Sequence, residues 1–161
     1  MCQVELLTRD DWDQLRHIRL TALSDSPHAF LSTYARELSY GEQEWRTEFA
    51  RGEWSVAVKP SGPVGVLGAT TEPGRSPNER YLEYLWVSPE CRRRGVASML
   101  LGAVLASLRD SGIATAWLWV LDGNGPALQL YERFGFASTR ERQPLPADPT
   151  RSEERMLLHL R

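Results

Sequence analysis

Apolar residues recur along this chain with two different periods. In "DDWDQLRHIRLTAL", Trp12, Leu15, Ile18 and Ala22 fall at helical spacing, and Asp10 or Asp11 stands ready to cap the first turn. "VELL" just before it has the length and apolar character of a short strand, so the chain opens strand then helix. Beyond Ser26-Pro27 lies "HAFLSTYAREL", a mixed, aromatic-rich connection. "GEQEWRTEFARG" then predicts a short helix from about Glu42 that Gly52 stops.

From there the period changes to two. "EWSVAVKPSGPVGVLGATTEP" alternates apolar and polar positions around Pro60-Ser61-Gly62-Pro63 and reads as a hairpin. A loop over residues 73–79 leads to a third strand, "RYLEYLWV", closed by Ser88-Pro89. Helical spacing returns in "VASMLLGAVLASLRDSG", where Val96, Met99, Leu100, Ala103, Val104 and Leu108 share a face and Gly112 ends the helix. "IATAWLWVL" is almost continuously apolar, as a strand covered on both faces must be, and Leu85-Trp86-Val87 has the same character. Strand, helix, strand in that succession predicts a parallel pair joined by a right-handed crossover. "NGPALQLYERFGF" is a helix with Pro126 in its first turn and Gly135 at its stop. The tail supplies two more strands about a Pro-rich loop, residues 143–150, with Met156, Leu158 and Leu160 alternating inward. The fold class is α/β: a mixed central sheet of about six to seven strands flanked by about four helices.

Length and composition narrow this to one domain, residues 1–161, since 161 residues at 42% hydrophobic and 25% charged suit a single core. No apolar run reaches the roughly 18 residues of a membrane span. The N-terminal "MCQVELLTRDDWDQ" is acidic where a secretory signal is basic and then apolar, so a cytoplasmic location is expected. Cys2, Cys91, His17, His28 and His159 have no metal-ligand spacing, and no metal is expected. A net charge of −2 from 19 basic and 21 acidic residues offers no field for nucleic acid or an anionic membrane. Nor does any acidic run mark a pocket for polyamines or aminoglycosides.

Against that balance, Arg92-Arg93-Arg94 is a local exception that suits a small polyanion. The three arginines precede Gly95, Val96 and Ala97 at the start of a helix, where unpaired N–H groups and the helix dipole favour phosphate. Gly95 and Ala97 leave room for a ligand to approach the backbone. The spaced glycines of a dinucleotide fingerprint and the Gly-Lys-Ser/Thr of a P-loop are both missing. A solvated basic helix start is the competing role.

"LWVSPECRRRGVA", with Arg92, Gly95 and Ala97 in the defining places, resembles the acyl-CoA turn of the GCN5-related N-acetyltransferase (GNAT) superfamily. "NGPALQLYERFGF" is similar to that family's second signature through Asn124, Ala127, Leu130, Tyr131, Gly135 and Phe136. The resemblance implies the GNAT fold, acetyl-CoA as co-substrate and an amine acceptor. Arg92, Arg93, Arg94, Gly95, Val96, Ala97 and Ser98 would hold the CoA pyrophosphate. Leu85, Trp86 and Val87 would offer backbone groups to the pantetheine arm and the thioester carbonyl, and Asn124 would bind the pantetheine region. Tyr131 would protonate the departing thiolate, and Glu83 would accept the amine's proton directly or through water. Competing roles are core packing for Tyr131, helix capping for Asn124 and a solvent-facing position for Glu83.

Members that acetylate protein N-termini often carry a glutamate where this chain has Trp119, and Asp122 nearby falls in a turn. The acceptor is expected against "SPHAFLSTYARE", which offers Phe30, Ser32, Thr33, Tyr34 and Glu37, with Phe30 and Tyr34 as the substrate-contacting pair. The function implied is N-acetyl transfer by direct attack of a primary amine in a ternary complex. The acceptor stays open among a small amine, an antibiotic, an amino acid, a polyamine and a protein amine. The alternatives are a catalytically weak CoA-binding sensor or interaction domain of the same fold, and nucleic-acid binding through the arginines, which would need a broad basic surface this chain lacks. Homodimerisation through the C-terminal strands is common in the family.

Overall fold

Alternation places Val56 and Val66 on one face of a sheet and Ala57 and Leu67 on the other, and each face is buried by its own helices. The computed structural model describes residues 1–146 and 148–161. Its seven strands are β1 (Gln3–Leu6), β2 (Gly52–Lys59), β3 (Gly62–Thr70), β4 (Glu79–Val87), β5 (Thr115–Leu121), β6 (Ala137–Pro144) and β7 (Ser152–His159). They form one sheet in the order β1-β2-β3-β4-β5-β7-β6. The helices are α1 (Trp12–Asp25), α2 (Tyr34–Leu38), α3 (Glu42–Phe49), α4 (Val96–Asp110) and α5 (Gly125–Arg133). The mixed connection expected between the first two helices thus contains the short α2.

On one face α4 lays Leu100, Leu101, Leu105 and Leu108 against Leu67, Leu118 and Met156. On the other, Leu15 and Ile18 of α1 and Trp45 of α3 pack on Trp54, Val56, Val66 and Trp86. Trp45 and Trp54 are fully buried, and truncating a residue of that size costs about 3–5 kcal/mol. Gly68 exists for Trp54: a Cβ there would stand 2.5 Å from the indole ring.

The parallel pair expected from the strand-helix-strand pattern is β4 with β5, and α4 is its crossover. Gly112 and Gly135 adopt φ of +77° and +95° just past α4 and α5, the left-handed stops that glycine supplies without a Cβ penalty. The tail differs from expectation in one respect. Gln143 and Pro144, expected in the loop, belong to β6, opposite Glu153 and Ser152. β6 is the sheet edge, where a proline's missing N–H costs no ladder bond. Ala147, in the same expected loop, lies outside the described residues. Among the described residues no helix is long and apolar enough to cross a membrane.

Candidate active site

The site begins with an irregularity in β4. Val66 pairs with Trp86 and Gly68 with Glu83, so Leu67 alone faces both Tyr84 and Leu85. The extra residue makes a bulge, and Tyr84 takes a left-handed φ of +62° there. Pairing of β4 with β5 runs only from Glu79↔Thr115 to Tyr81↔Trp117 and stops before the bulge. Beyond Tyr81 the two parallel strands part, so among the described residues no strand pairs with the β5 side of Leu85, Trp86 and Val87. A cavity of about 730 Å³ occupies this opening, lined by Tyr81, Glu83, Tyr84 and Leu85 on β4, by Trp119 on β5 and by Asn124 and Tyr131 of α5.

At the exit of β4 the arginine turn leads into α4. Gly95 caps that helix at φ +79°, with open space where a Cβ would point, and Arg93 is also left-handed at φ +62°. The first amide of the turn to find a helical acceptor is that of Met99, onto the Gly95 carbonyl at 3.0 Å. The N–H groups of Val96, Ala97 and Ser98 head the helix as its orphan donors, which fits an anionic diphosphate. Arg92 behaves unlike its neighbours. Its Nε donates to the Val87 carbonyl (2.9 Å) and its Nη2 to Asp25 (2.6 Å), and Asp25 also accepts from Trp86 Nε1 (2.9 Å). The Arg92 guanidinium therefore staples the turn to the end of α1, while Arg93 and Arg94 are exposed beside the open glycine.

Glu83, whose facing the alternation leaves open, points inward with a side chain 9% exposed. Arg51 grips it with both arms, Nη1 to Oε1 at 3.1 Å and Nη2 to Oε2 at 3.2 Å, and Thr70 Oγ1 donates to Oε2 at 3.0 Å. Burial pushes the Glu83 carboxyl above its usual range, while Arg51 and Thr70 pull it down. Among the described residues Oε1 accepts from Arg51 alone and keeps a lone pair for a further donor. Tyr131 is buried in the opposite wall of the cavity, edge-on to Phe136 at 5.9 Å between centroids. Burial pushes its phenol up to about 12, so it carries its proton at neutral pH. Asn124 does both things considered for it: Oδ1 caps α5 by accepting from the Ala127 amide (3.3 Å), and the residue lines the cavity.

Arg51 belongs to a longer chain of buried and half-buried charges that the sequence pattern does not disclose. It also holds Glu48 (3.1 Å), which Arg19 Nη1 reaches at 3.0 Å. Arg19 grips Glu37 with Nε (2.9 Å) and Nη2 (2.8 Å), and Glu37 accepts from the Tyr84 hydroxyl at the bulge. The Arg19 guanidinium sits over the rings of Tyr84 (4.2 Å), Trp45 (5.1 Å) and Trp54 (5.2 Å). Phe30 lines the cavity and stacks on Tyr84 with centroids 5.0 Å apart. Tyr34, its expected companion, is 42% exposed and is not part of the cavity wall, because α2 turns Glu37 inward and Tyr34 to solvent. Arg19, Arg51, Tyr81 and Tyr84 are the residues that sequence reasoning passes over. An arginine on the apolar face of α1, beside Ile18 and Leu15, was the one available signal.

The family model described as "Acetyltransferase (GNAT) family" matches residues 12–136. An uncharacterized N-acetyltransferase of Escherichia coli, YafP, is 27% identical over 126 residues, which is 78% of this chain and 73% of that one. The bS18-alanine N-acetyltransferase of Salmonella typhimurium is 39% identical over 59 residues, 37% of this chain and 40% of its own length. The chain therefore spans most of the first relative and well under half of the second. In overall shape it is similar to yncA, an acetyltransferase from Salmonella typhimurium solved with acetyl-CoA, at a TM-score of 0.80 and 14% identity, covering 100% of this chain and 95% of that one. A family model spanning most of the chain, and the same fold from end to end, make this protein a member of the GNAT acetyltransferase family.

Proposed function

We propose that this chain moves the acetyl group of acetyl-CoA to a primary amine by direct attack. One observation carries the reading: Glu83 and Tyr131 face a single cavity opened by the parting of β4 and β5, a buried carboxylate on one side and a protonated phenol on the other. The residues fit the co-substrate. The open glycine turn from Arg93 to Ser98 suits its diphosphate, the β4 edge at Leu85 and Trp86, which no strand of the described residues pairs, suits the amides of its arm, and Asn124 stands beside that path. Bound there, the thioester supplies an acyl group already activated for aminolysis.

Glu83 takes the proton that the amine must shed, directly or through one water on the free lone pair of Oε1. A backbone N–H of the freed β4 edge faces the charge that develops on the carbonyl oxygen. As the C–N bond forms and the C–S bond breaks, Tyr131 gives its proton to the sulfur. The products are an N-acetylamine and CoA thiol.

The double hold of Arg51 and Thr70 on Glu83 favours a second reading, a CoA-binding sensor whose carboxylate is too well partnered to act as a base. Calorimetric titration with acetyl-CoA, followed by thiol release across amines and peptides, separates the two. Binding with turnover supports transfer, binding without turnover on any acceptor supports the sensor, and absence of binding overturns both.

A further inference from the structure

The acceptor half of the cavity carries an imbalance of charge. Glu37, Glu48, Glu72, Glu83 and Glu153 all line it. The guanidiniums in ion pairs with them, among the described residues, are those of Arg19 and Arg51. Counting the whole lining by formal charge, with Asp148, Arg36 and Arg151 included, six carboxylates face four guanidiniums, an excess of two negative charges around one cavity. Arg36 and Arg151 also border the cavity, yet both are exposed at its rim and neither pairs with a cavity carboxylate among the described residues. Glu153 is the sharpest case. It is 6% exposed, and its hydrogen-bond partner is the neutral Gln143 amide, at 2.6 Å. Arg155, two residues along β7, turns instead to Glu141 (3.2 Å) and lies over the Trp117 ring (4.7 Å).

A buried charge without a counter-charge is costly, so a site of this kind is completed by a cation from outside. The rest of the wall has the matching chemistry. Phe30, Tyr40, Tyr81, Tyr84 and Trp119 present aromatic surface to the same space, and aromatic faces with carboxylates are what holds an ammonium group. Tyr81 marks where the charges converge: burial, then the charges of Glu83, Glu153 and Glu72, all raise its phenol. Ser32 Oγ, also in the wall, is buried and has no hydrogen-bond partner among the described residues.

The geometry points to an acceptor that is a flexible dication, an aliphatic diamine or polyamine, with its reacting amine at Glu83 and a second ammonium held by Glu153 and Glu72. This rests on the acetyl-transfer reading above and specifies its acceptor. The reacting ammonium gives one proton to Glu83; as the C–N bond forms and the thioester C–S bond breaks, Tyr131 protonates the sulfur and the second proton shed by the nitrogen restores the Tyr131 phenol. The distal ammonium stays charged throughout, so the mono-acetylated product keeps one of the two positive charges and binds less well than the substrate.

The test uses three acceptors of equal chain length that differ at the far end: putrescine (ammonium), butylamine (methyl) and γ-aminobutyrate (carboxylate). With acetyl-CoA, kcat/KM for putrescine is expected to exceed that for butylamine by roughly thirtyfold, between what an extra methylene and a fully matched buried polar group supply, with γ-aminobutyrate slowest. Glu153→Gln should bring putrescine and butylamine close to parity by raising the putrescine KM, and Glu153→Asp should retain much of the preference. Independently of transfer, calorimetry should show putrescine binding, with and without saturating CoA, that weakens with salt and in Glu153→Gln. Equal rates for putrescine and butylamine, preference for γ-aminobutyrate or a peptide N-terminus, or no putrescine binding would each overturn the proposal. Failure of acetyl-CoA to bind would instead sink the transfer reading, while putrescine binding would still report on the acceptor site.

Discussion

Arg51 holds Glu83 by both oxygens, at 3.1 and 3.2 Å, across the wall of the cavity. The pairing sets the pH range over which Glu83 can accept a proton. In the proposed mechanism Glu83 works as a carboxylate, so activity should fall as pH drops through its pKa. Burial raises that pKa and Arg51 lowers it. In Arg51→Gln the lowering is lost, and the acidic limb of the kcat/KM profile should move to higher pH by about one unit or more, with a smaller move in Arg51→Lys. A limb that stays in place in both variants would show that Glu83 is not the titrating base.

Tyr131 is predicted to act on transfer rather than on binding. Its phenol, pushed up to about 12 by burial, stays protonated across the working range. Tyr131→Phe keeps the ring against Phe136 and removes the proton, so acetyl-CoA affinity should be retained while kcat falls by about a hundredfold or more. Equal losses in affinity and kcat would assign Tyr131 to packing.

Gly95 combines a left-handed φ of +79° with open space beside it. Gly95→Glu places a bulky anion where the turn should receive a diphosphate, and CoA affinity should fall at least about a hundredfold. The left-handed backbone adds about 1–2 kcal/mol of destabilisation, so a thermal melt must accompany the titration. A folded variant that binds acetyl-CoA normally would remove the turn from the site.

Gly68 tests the core instead of the chemistry. A methyl group there meets the Trp54 ring at 2.5 Å in a layer that also holds Trp45 and Trp86. Gly68→Ala should lower unfolding free energy by about 1–3 kcal/mol, read by denaturant titration. Because Trp54 also supports the Arg19 guanidinium from 5.2 Å, acceptor KM should rise more than acetyl-CoA KM. Wild-type stability would mean that Trp54 has room to move.

What could be read from the chain is what depends on neighbours in sequence. The apolar periods located both core faces, the β4-α4-β5 crossover and the glycine stops of α4 and α5, because helical and strand geometry repeat within a few residues. The Gly95 turn and the Asn124–Tyr131 helix were legible for the same reason, each being one contiguous stretch. Tertiary structure alone decided the carboxylate cluster of the cavity. Glu37, Glu48, Glu72, Glu83 and Glu153 come from α2, α3, the loop after β3, β4 and β7, so no acidic run announces them, and only the folded sheet collects them. The bulge at Tyr84 is equally silent in sequence, since the residue is no glycine and its left-handed φ is held by Glu37 and Arg19 from distant elements. β4 parts from β5 beyond Tyr81, ahead of that bulge, and the cavity between them is where the sequence-legible residues meet the others.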